Sequence, residues 1–224
     1  MKLARPDVFH PRIVLAGCRE LVTGDGDDAG LVAALRHRGL HARWLAWDDP
    51  ETRRADLVIL RATRDYAERL DEFLAWTAAV RHLLNPPRAV AWNLDEHYLR
   101  DLARDNVPTL PGGPAQTALI FLGGERSHAF TKTGPAEPEF EVWDLGYAAI
   151  SSAAGRAGIG SGELLYARVD VGGGRLVALD LVAPSLGWWS LDAESRERAQ
   201  RQFALAVESA CERLGLGPFS QRRP

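Results

Sequence analysis

The sequence predicts an α/β fold, a parallel sheet followed by an antiparallel sheet with helices, from three observations. Up to about residue 106, short apolar runs alternate with helical patterns. Beyond residue 117, two glycine-turned hairpins replace that alternation. Between them lies a Pro/Gly stretch, VPTLPGGPAQT. Alternating strands and helices build a parallel, doubly wound sheet with right-handed crossovers, and tight hairpins build an antiparallel one. The division expected is a parallel α/β domain over 12–106, a linker over 107–117, and a second domain over 118–216.

Each element has its own signal. Residues 1–11 read as a loose leader. RIVLA, 12–16, is a near-continuous apolar run, as a parallel strand buried on both faces requires. Asp27 or Asp28 can cap the helix that carries Leu31, Ala34, Leu35 and Arg38, and Gly39 ends it. Residues 41–47 alternate like a strand, and LVIL, 57–60, is a second buried one. Residues 65–84 predict an amphipathic helix with Tyr66, Leu70, Phe73, Thr77 and Val80 on one stripe, broken by Pro86-Pro87. Residues 89–92 predict a short strand, and Asp95 caps a helix that turns Leu99 and Leu102 inward. In the second half, 118–122 and 127–131 form a hairpin about Gly123-Gly124. Residues 147–156 form a short helix rich in small residues. A second hairpin, 164–171 with 175–182, turns on glycines 172–174, which accept positive φ. Residues 193–214 form a long amphipathic helix capped by Gly215, and the polar tail 220–224 is expected to fray.

Composition excludes several classes. A net charge of -3 supplies no basic footprint for nucleic acid. No apolar run reaches the length of a membrane helix, so no membrane partner is expected and a cytoplasmic location is the default. Cys18 and Cys211 lie in an apolar strand and an amphipathic helix, and read as buried free thiols.

Several short motifs have plainer readings. His37 and His41 are four apart, but Gly39 between them breaks the shared helical face a zinc site needs. Gly24–Asp28 lacks the ligand spacing of a calcium loop and reads as a capped turn. GRAGIGSG follows a helix rather than a strand and reads as a connector. Ser127-His128 has no nucleophile elbow, and neighbouring strand residues face opposite ways. Trp188-Trp189 reads either as an interface anchor or aromatic floor, or as cover for the core edge. Arg61 and Arg64 follow a parallel strand at its carboxyl end, where open α/β sheets bind ligands, and Asn93 faces the same crevice. The plainer alternative has Asp65 capping the next helix and pairing with Arg61.

Four stretches carry a family resemblance: VILRATRDYAERLDEFLAW, LLNPPRAVAWNLDEHYLRDLA, FLGGERSHAFTK and LLYARVDVGGGRLVALDLVAPSL. They resemble the ATP-grasp ligases, in particular the branch related to glutathione-synthetase-like and cyclo-ligase enzymes. The resemblance implies a parallel pre-ATP-grasp domain followed by a partial ATP-grasp domain. The family's small nucleotide-clamp subdomain would fall between them, where this chain has only residues 107–117.

The resemblance also implies the chemistry of an acyl phosphate formed from ATP, with magnesium held on the last hairpin. In that register Ala178 and Ala183 stand where the family has acidic residues, and Asp180 alone keeps a carboxylate. Asp170 is a second residual metal candidate. The family's phosphate lysine after the Asp of the WNLDEHYLRDLA helix is replaced by Glu96. Lys132 and Arg168 remain where the family has them. The expectation is a degenerate ATP-grasp-fold protein that binds a small ligand or a partner, with no catalytic residue assigned and no cofactor. Its candidate anion-binding set is Arg61, Arg64, Asn93, Lys132 and Arg168. Apolar sheet surface left by the missing clamp favours a homodimer or a protein partner. The alternative is an ATP-dependent carboxylate–amine ligase with a minimal or partner-supplied clamp, using ATP and magnesium.

Overall fold

The structure is a computed structural model that describes residues 9–218. Most of the expected leader and the expected frayed tail lie outside the described residues.

The chain opens with β1 (Ile13–Gly17), α1 (Leu31–His37), β2 (Ala42–Ala46) and β3 (Leu57–Leu60), then α2 (Leu70–Ala79), β4 (Leu83–Leu84), α3 (Pro87–Leu94) and α4 (Tyr98–Arg104). The four strands form one sheet in the order β2-β1-β3-β4, every neighbouring pair parallel. β1 and β3 are buried at every position, as layers on both faces demand.

Four expectations in this half are corrected. The helix expected over 65–84 is a 3-10 turn, Arg64–Arg69, followed by α2, and the chain turns extended at Val80. Residues 83–84 then supply the fourth strand, and 89–92, expected as a strand, lie inside α3. Pro87 occupies the first turn of α3, where its missing N–H costs nothing and its fixed φ suits a helix. A four-residue apolar run cannot distinguish the two states by periodicity, and Ala89, Val90 and Asn93 bury a helical face. α1 is preceded by Gly30 rather than capped by Asp27 or Asp28. Asp65 accepts the Trp47 indole N–H at 2.8 Å instead of capping α2.

The second half contains β5 (Thr117–Leu122), β6 (Glu125–Thr131), β7 (Gly134–Ala136), α5 (Phe140–Ala157), β8 (Tyr166–Gly172), β9 (Arg175–Asp180) and α6 (Ala193–Arg213). The strands form an antiparallel sheet in the order β7-β6-β5-β8-β9. Gly173 and Gly174, both at positive φ, make the β8–β9 turn, as the glycine run predicts. α5 is longer than the expected 147–156, since Trp143 and Leu145 already bury against the sheet. Asp192 caps α6 by accepting Ser195 N–H at 2.8 Å. Gly215 closes the other end at positive φ, with Leu216 N–H returning to Cys211 O at 2.7 Å.

The two faces of the antiparallel sheet do different work. Ala118, Ile120, Leu122 and Tyr166 pack into one cluster with Ile13 and Leu15 of β1, Leu57 and Ile59 of β3, and Phe203 and Val207 of α6. Leu119, Phe121, Val169 and Leu179 face the other way, onto the small residues of α5. A third cluster lies on the far face of the parallel sheet, around Trp47, Phe73 and Trp76.

Two buried asparagines join the halves. Asn85 accepts Leu165 N–H at 2.7 Å and donates to Tyr166 O and Leu181 O, both at 2.8 Å. Asn93 accepts Leu181 N–H at 2.7 Å and donates to Leu179 O at 2.9 Å. Each amide carries a donor and an acceptor, so it can pair with backbone as a strand does: Asn93 along the edge of β9, and Asn85 where β8 begins and the chain leaves β9. The Pro/Gly connection runs along the same edge: Leu110 N–H donates to Leu176 O at 2.7 Å, and Leu176 N–H to Pro108 O at 2.8 Å.

Candidate functional site

The polar end of the sheet face that continues the shared core carries the candidate residues. Arg168 and Asp170, two apart on β8, point to that face together. Arg168 lies opposite Asp180 on β9, and Asp170 opposite Ala178. Asp170 and Asp180 are thus diagonal neighbours, about 7–8 Å apart by strand geometry. They do not meet over an empty gap, because the Arg168 Nε donates to Asp170 Oδ1 at 2.9 Å. The guanidinium carbon sits 5.3 Å from the centre of the Phe130 ring, a cation–π contact. Asp180 Oδ1 accepts Val182 N–H at 2.9 Å and Ala183 N–H at 3.4 Å. Burial pushes its carboxyl above the usual range, against those backbone bonds and the charges of Arg168 and Arg61.

Lys132 and Arg168 line one cleft of about 240 Å³, with Gln116, Ser185, Phe130 and Trp189. Of the five anion-binding candidates, these two are brought together. Arg61 is elsewhere and inaccessible: its Nε donates to Asp28 Oδ1 at 2.7 Å, and each of the two side chains is 2% exposed. Its expected partner, Asp65, plays no part. Arg64 is 68% exposed and pairs with Asp25 at 2.6 Å. Asn93 spends its amide on β9 and does not face the cleft.

The loop after β9 shapes the cleft. Asp27 holds it by accepting Ser185 Oγ–H at 3.0 Å, Gly187 N–H at 3.0 Å and Trp189 N–H at 3.2 Å. Gly187 has φ +68°, and a Cβ there would meet the Phe130 ring at 2.2 Å. The paired tryptophans separate: Trp188 is buried in the core, while Trp189 is 53% exposed and edge-on to Phe130. The sequence carries no signal for Gln116 or Ser185, and for Asp27 only that of a possible helix cap. Only the glycine of SLGWW, marking a required tight turn, signalled that the loop is fixed.

Among the described residues, no group of three or more His, Cys, Asp or Glu side chains is placed to hold a metal ion. His37 and His41 belong to no such group.

A parallel sheet leading into a five-stranded antiparallel sheet is the architecture of the ATP-grasp ligase fold. Within it, residues 13–85 match the family described as D-cycloserine synthetase DcsG, N-terminal domain. The cycloserine biosynthesis protein DcsG of Streptomyces lavendulae is 34% identical over 120 residues, 51% of this chain and 38% of that protein. This match thus spans less than half the length of that relative. The crystal structure of D-cycloserine synthetase DcsG superposes with a TM-score of 0.75 at 21% identity, covering 90% of this chain and 99% of that one. D-alanine–D-alanine ligase from Bacillus anthracis, solved with ATP, gives a TM-score of 0.61 at 9% identity, over 92% and 98% of the two chains. The ATP-grasp ligase PsnB, solved with precursor, Mg and ADP, gives 0.54 at 15% identity, over 89% and 98%. The resemblance to the ATP-grasp ligase fold read from the sequence holds, and β5 follows α4 after residues 105–116. No described helix is long and apolar enough to cross a membrane.

Proposed function

We propose that the chain is a degenerate ATP-grasp-fold protein that binds a small anion at the Lys132–Arg168 cleft and does not ligate. The observation that carries this reading is the pairing of Arg168 with Asp170. One cation of the crevice is already matched to one of its two carboxylates, leaving Lys132 as the cleft's unpaired charge among the described residues. Phosphoryl transfer asks for more: carboxylates free to hold magnesium, and several cations on the phosphates. Ala178 and Ala183 supply no carboxylate, and Glu96 brings a negative charge. The cleft, at about 240 Å³, suits a ligand smaller than a nucleotide.

The alternative is a working carboxylate–amine ligase whose nucleotide clamp comes from a partner. The ATP and ADP bound by the neighbouring ligases favour it, as does the diagonal placement of Asp170 and Asp180. Isothermal titration separates the two. Under the leading reading, inorganic phosphate binds and Lys132→Ala abolishes the heat, while magnesium-ATP gives no saturable binding below millimolar. Micromolar ATP binding, with ADP released in the presence of amino acids, would sink the leading reading. The exposed Trp189 is one apolar side chain that a second copy would cover. Light scattering at micromolar concentration tests that dimer, and a monomeric mass removes it.

A further inference from the structure

A second cleft, of about 590 Å³, shares no lining residue with the Lys132–Arg168 crevice and lies between β6, the 135–138 segment and α6. Its volume is within the range of small-molecule sites. Its polar lining is of both signs. Arg126 has no side-chain partner among the described residues. Arg198 is tied only to Glu194 and Ser195 within its own helix, an exposed pair of little worth. Glu137 lines the same cleft, and Trp143 and Leu191 form buried apolar wall.

The arrangement of Ser127 and His128 adds a specific requirement. Side chains next to each other on a strand ordinarily diverge, yet these two are bonded, Ser127 Oγ to His128 Nδ1, at 3.0 Å. A β-bulge explains it: Ile120 faces His128 and Phe121 faces Arg126, which leaves Ser127 as the extra residue. His128 Nε2 lies 2.6 Å from Leu186 O. A carbonyl only accepts, so Nε2 carries the proton. Burial holds the imidazole below its usual pKa and hence neutral, so Nδ1 is a bare acceptor. The Ser127 proton is then spent on Nδ1, and its oxygen offers only lone pairs to the cleft. A ligand that satisfies it must bring an N–H or O–H.

We propose that this cleft binds a free α-amino acid with an apolar side chain: Arg126 and Arg198 take the carboxylate, Ser127 Oγ and Glu137 take the ammonium, and Trp143 and Leu191 take the side chain. The site is independent of the anion cleft and stands whether or not that reading does. Titration with three probes of one skeleton tests it: L-leucine, 4-methylpentanoate lacking the ammonium, and 3-methylbutylamine lacking the carboxylate. Leucine should saturate, and each of the other two should bind at least about tenfold more weakly. The double variant Arg126→Ala/Arg198→Ala should lose leucine, and Ser127→Ala should narrow the gap between leucine and 4-methylpentanoate. Lys132→Ala/Arg168→Ala should bind leucine like the parent. Unfolding midpoints measured alongside separate lost binding from lost folding. The proposal is overturned if leucine does not saturate, if either truncated probe binds as well, or if the loss tracks Lys132 and Arg168 instead.

Discussion

Arg61 and Arg64 look alike in sequence, three residues apart at the end of one strand, and burial makes them opposites. Arg61 is locked to Asp28 inside the protein and lies 5.4 Å from the Tyr166 ring centre, with Nη1 lacking a partner. Removing one member of a buried pair strands the other charge in a poor solvent. Arg61→Met should therefore cost about 3–5 kcal/mol, measured by urea unfolding. Arg64→Ala, at an exposed pair, should stay within about 0.5 kcal/mol. Equal losses would show that the Asp28 contact does not form. The sequence placed Arg61 at the correct strand end but could not find its partner, because Asp28 lies on a different loop and nothing local joins them. Asn93 was misplaced for a related reason. A polar residue near a crevice reads as a ligand until the open edge of β9 is known. The cysteines were legible because both sit in apolar patterns, and both are buried and free. Burial pushes the Cys211 thiol up to about 11, with the charges of Glu208 and Glu212 adding to it. The thiolate is the nucleophile, so iodoacetamide at pH 8 should leave Cys211 unmodified in the native protein and label it once urea unfolds the chain. Native labelling seen by mass spectrometry would contradict the burial.

At the scale of elements, strands with strong periodic or continuous apolar signals were readable, and β3 falls on the expected residues. Misreadings cluster at 80–94, where apolar runs of two to four residues fit strand and helix equally, and the prolines mark a break without fixing the state of the chain beyond it. The candidate cleft was legible as two strands, through Lys132 and Arg168, but not as a loop. The loop's shape depends on Asp27, which receives three hydrogen bonds from residues 158–162 positions away. Asp27→Ala removes the nearer acceptor of the buried Gly187 N–H and leaves it only Ser185 Oγ at 3.4 Å, a cost of about 1 kcal/mol. It should also free Trp189 from Phe130. The expected result is a red shift of tryptophan emission together with weaker phosphate binding at the Lys132–Arg168 cleft. Altered stability with unchanged emission would mean that Asp27 secures the fold but not the cleft.

For the whole molecule, the division read from the change of pattern near residue 107 runs against a core that crosses it. β1, β3, β5, β8 and α6 share one cluster, and Asn85 and Asn93 tie the first half to the last hairpin. Surface charge adds a further tie, since Asp105, just after α4, accepts from Arg156 and Ser152 of α5. The Arg156 hydrogen bond, then that of Ser152, lowers the Asp105 carboxyl to about 2. The unfolded chain, titrating near 3.8, binds a proton there that the folded protein still refuses. Folding is therefore favoured by this contact above about pH 4, and the benefit is lost as pH falls through about 2. Asp28 and Asp180 act in the opposite sense, since burial raises both carboxyls, and their contribution weakens as pH rises through those raised values. The total acid profile mixes both signs, so the informative quantity is the difference between the parent and Asp105→Asn. Urea midpoints measured from pH 2 to 5 should converge at the acid end and separate above pH 4, the parent being the more stable. Because the clusters join the two halves, secondary structure and tryptophan emission should fall in a single transition at each pH. Two separated transitions would mean that the parallel sheet and the hairpins fold as independent units, and an Asp105 effect confined to one of them would show which unit the α4–α5 contact supports.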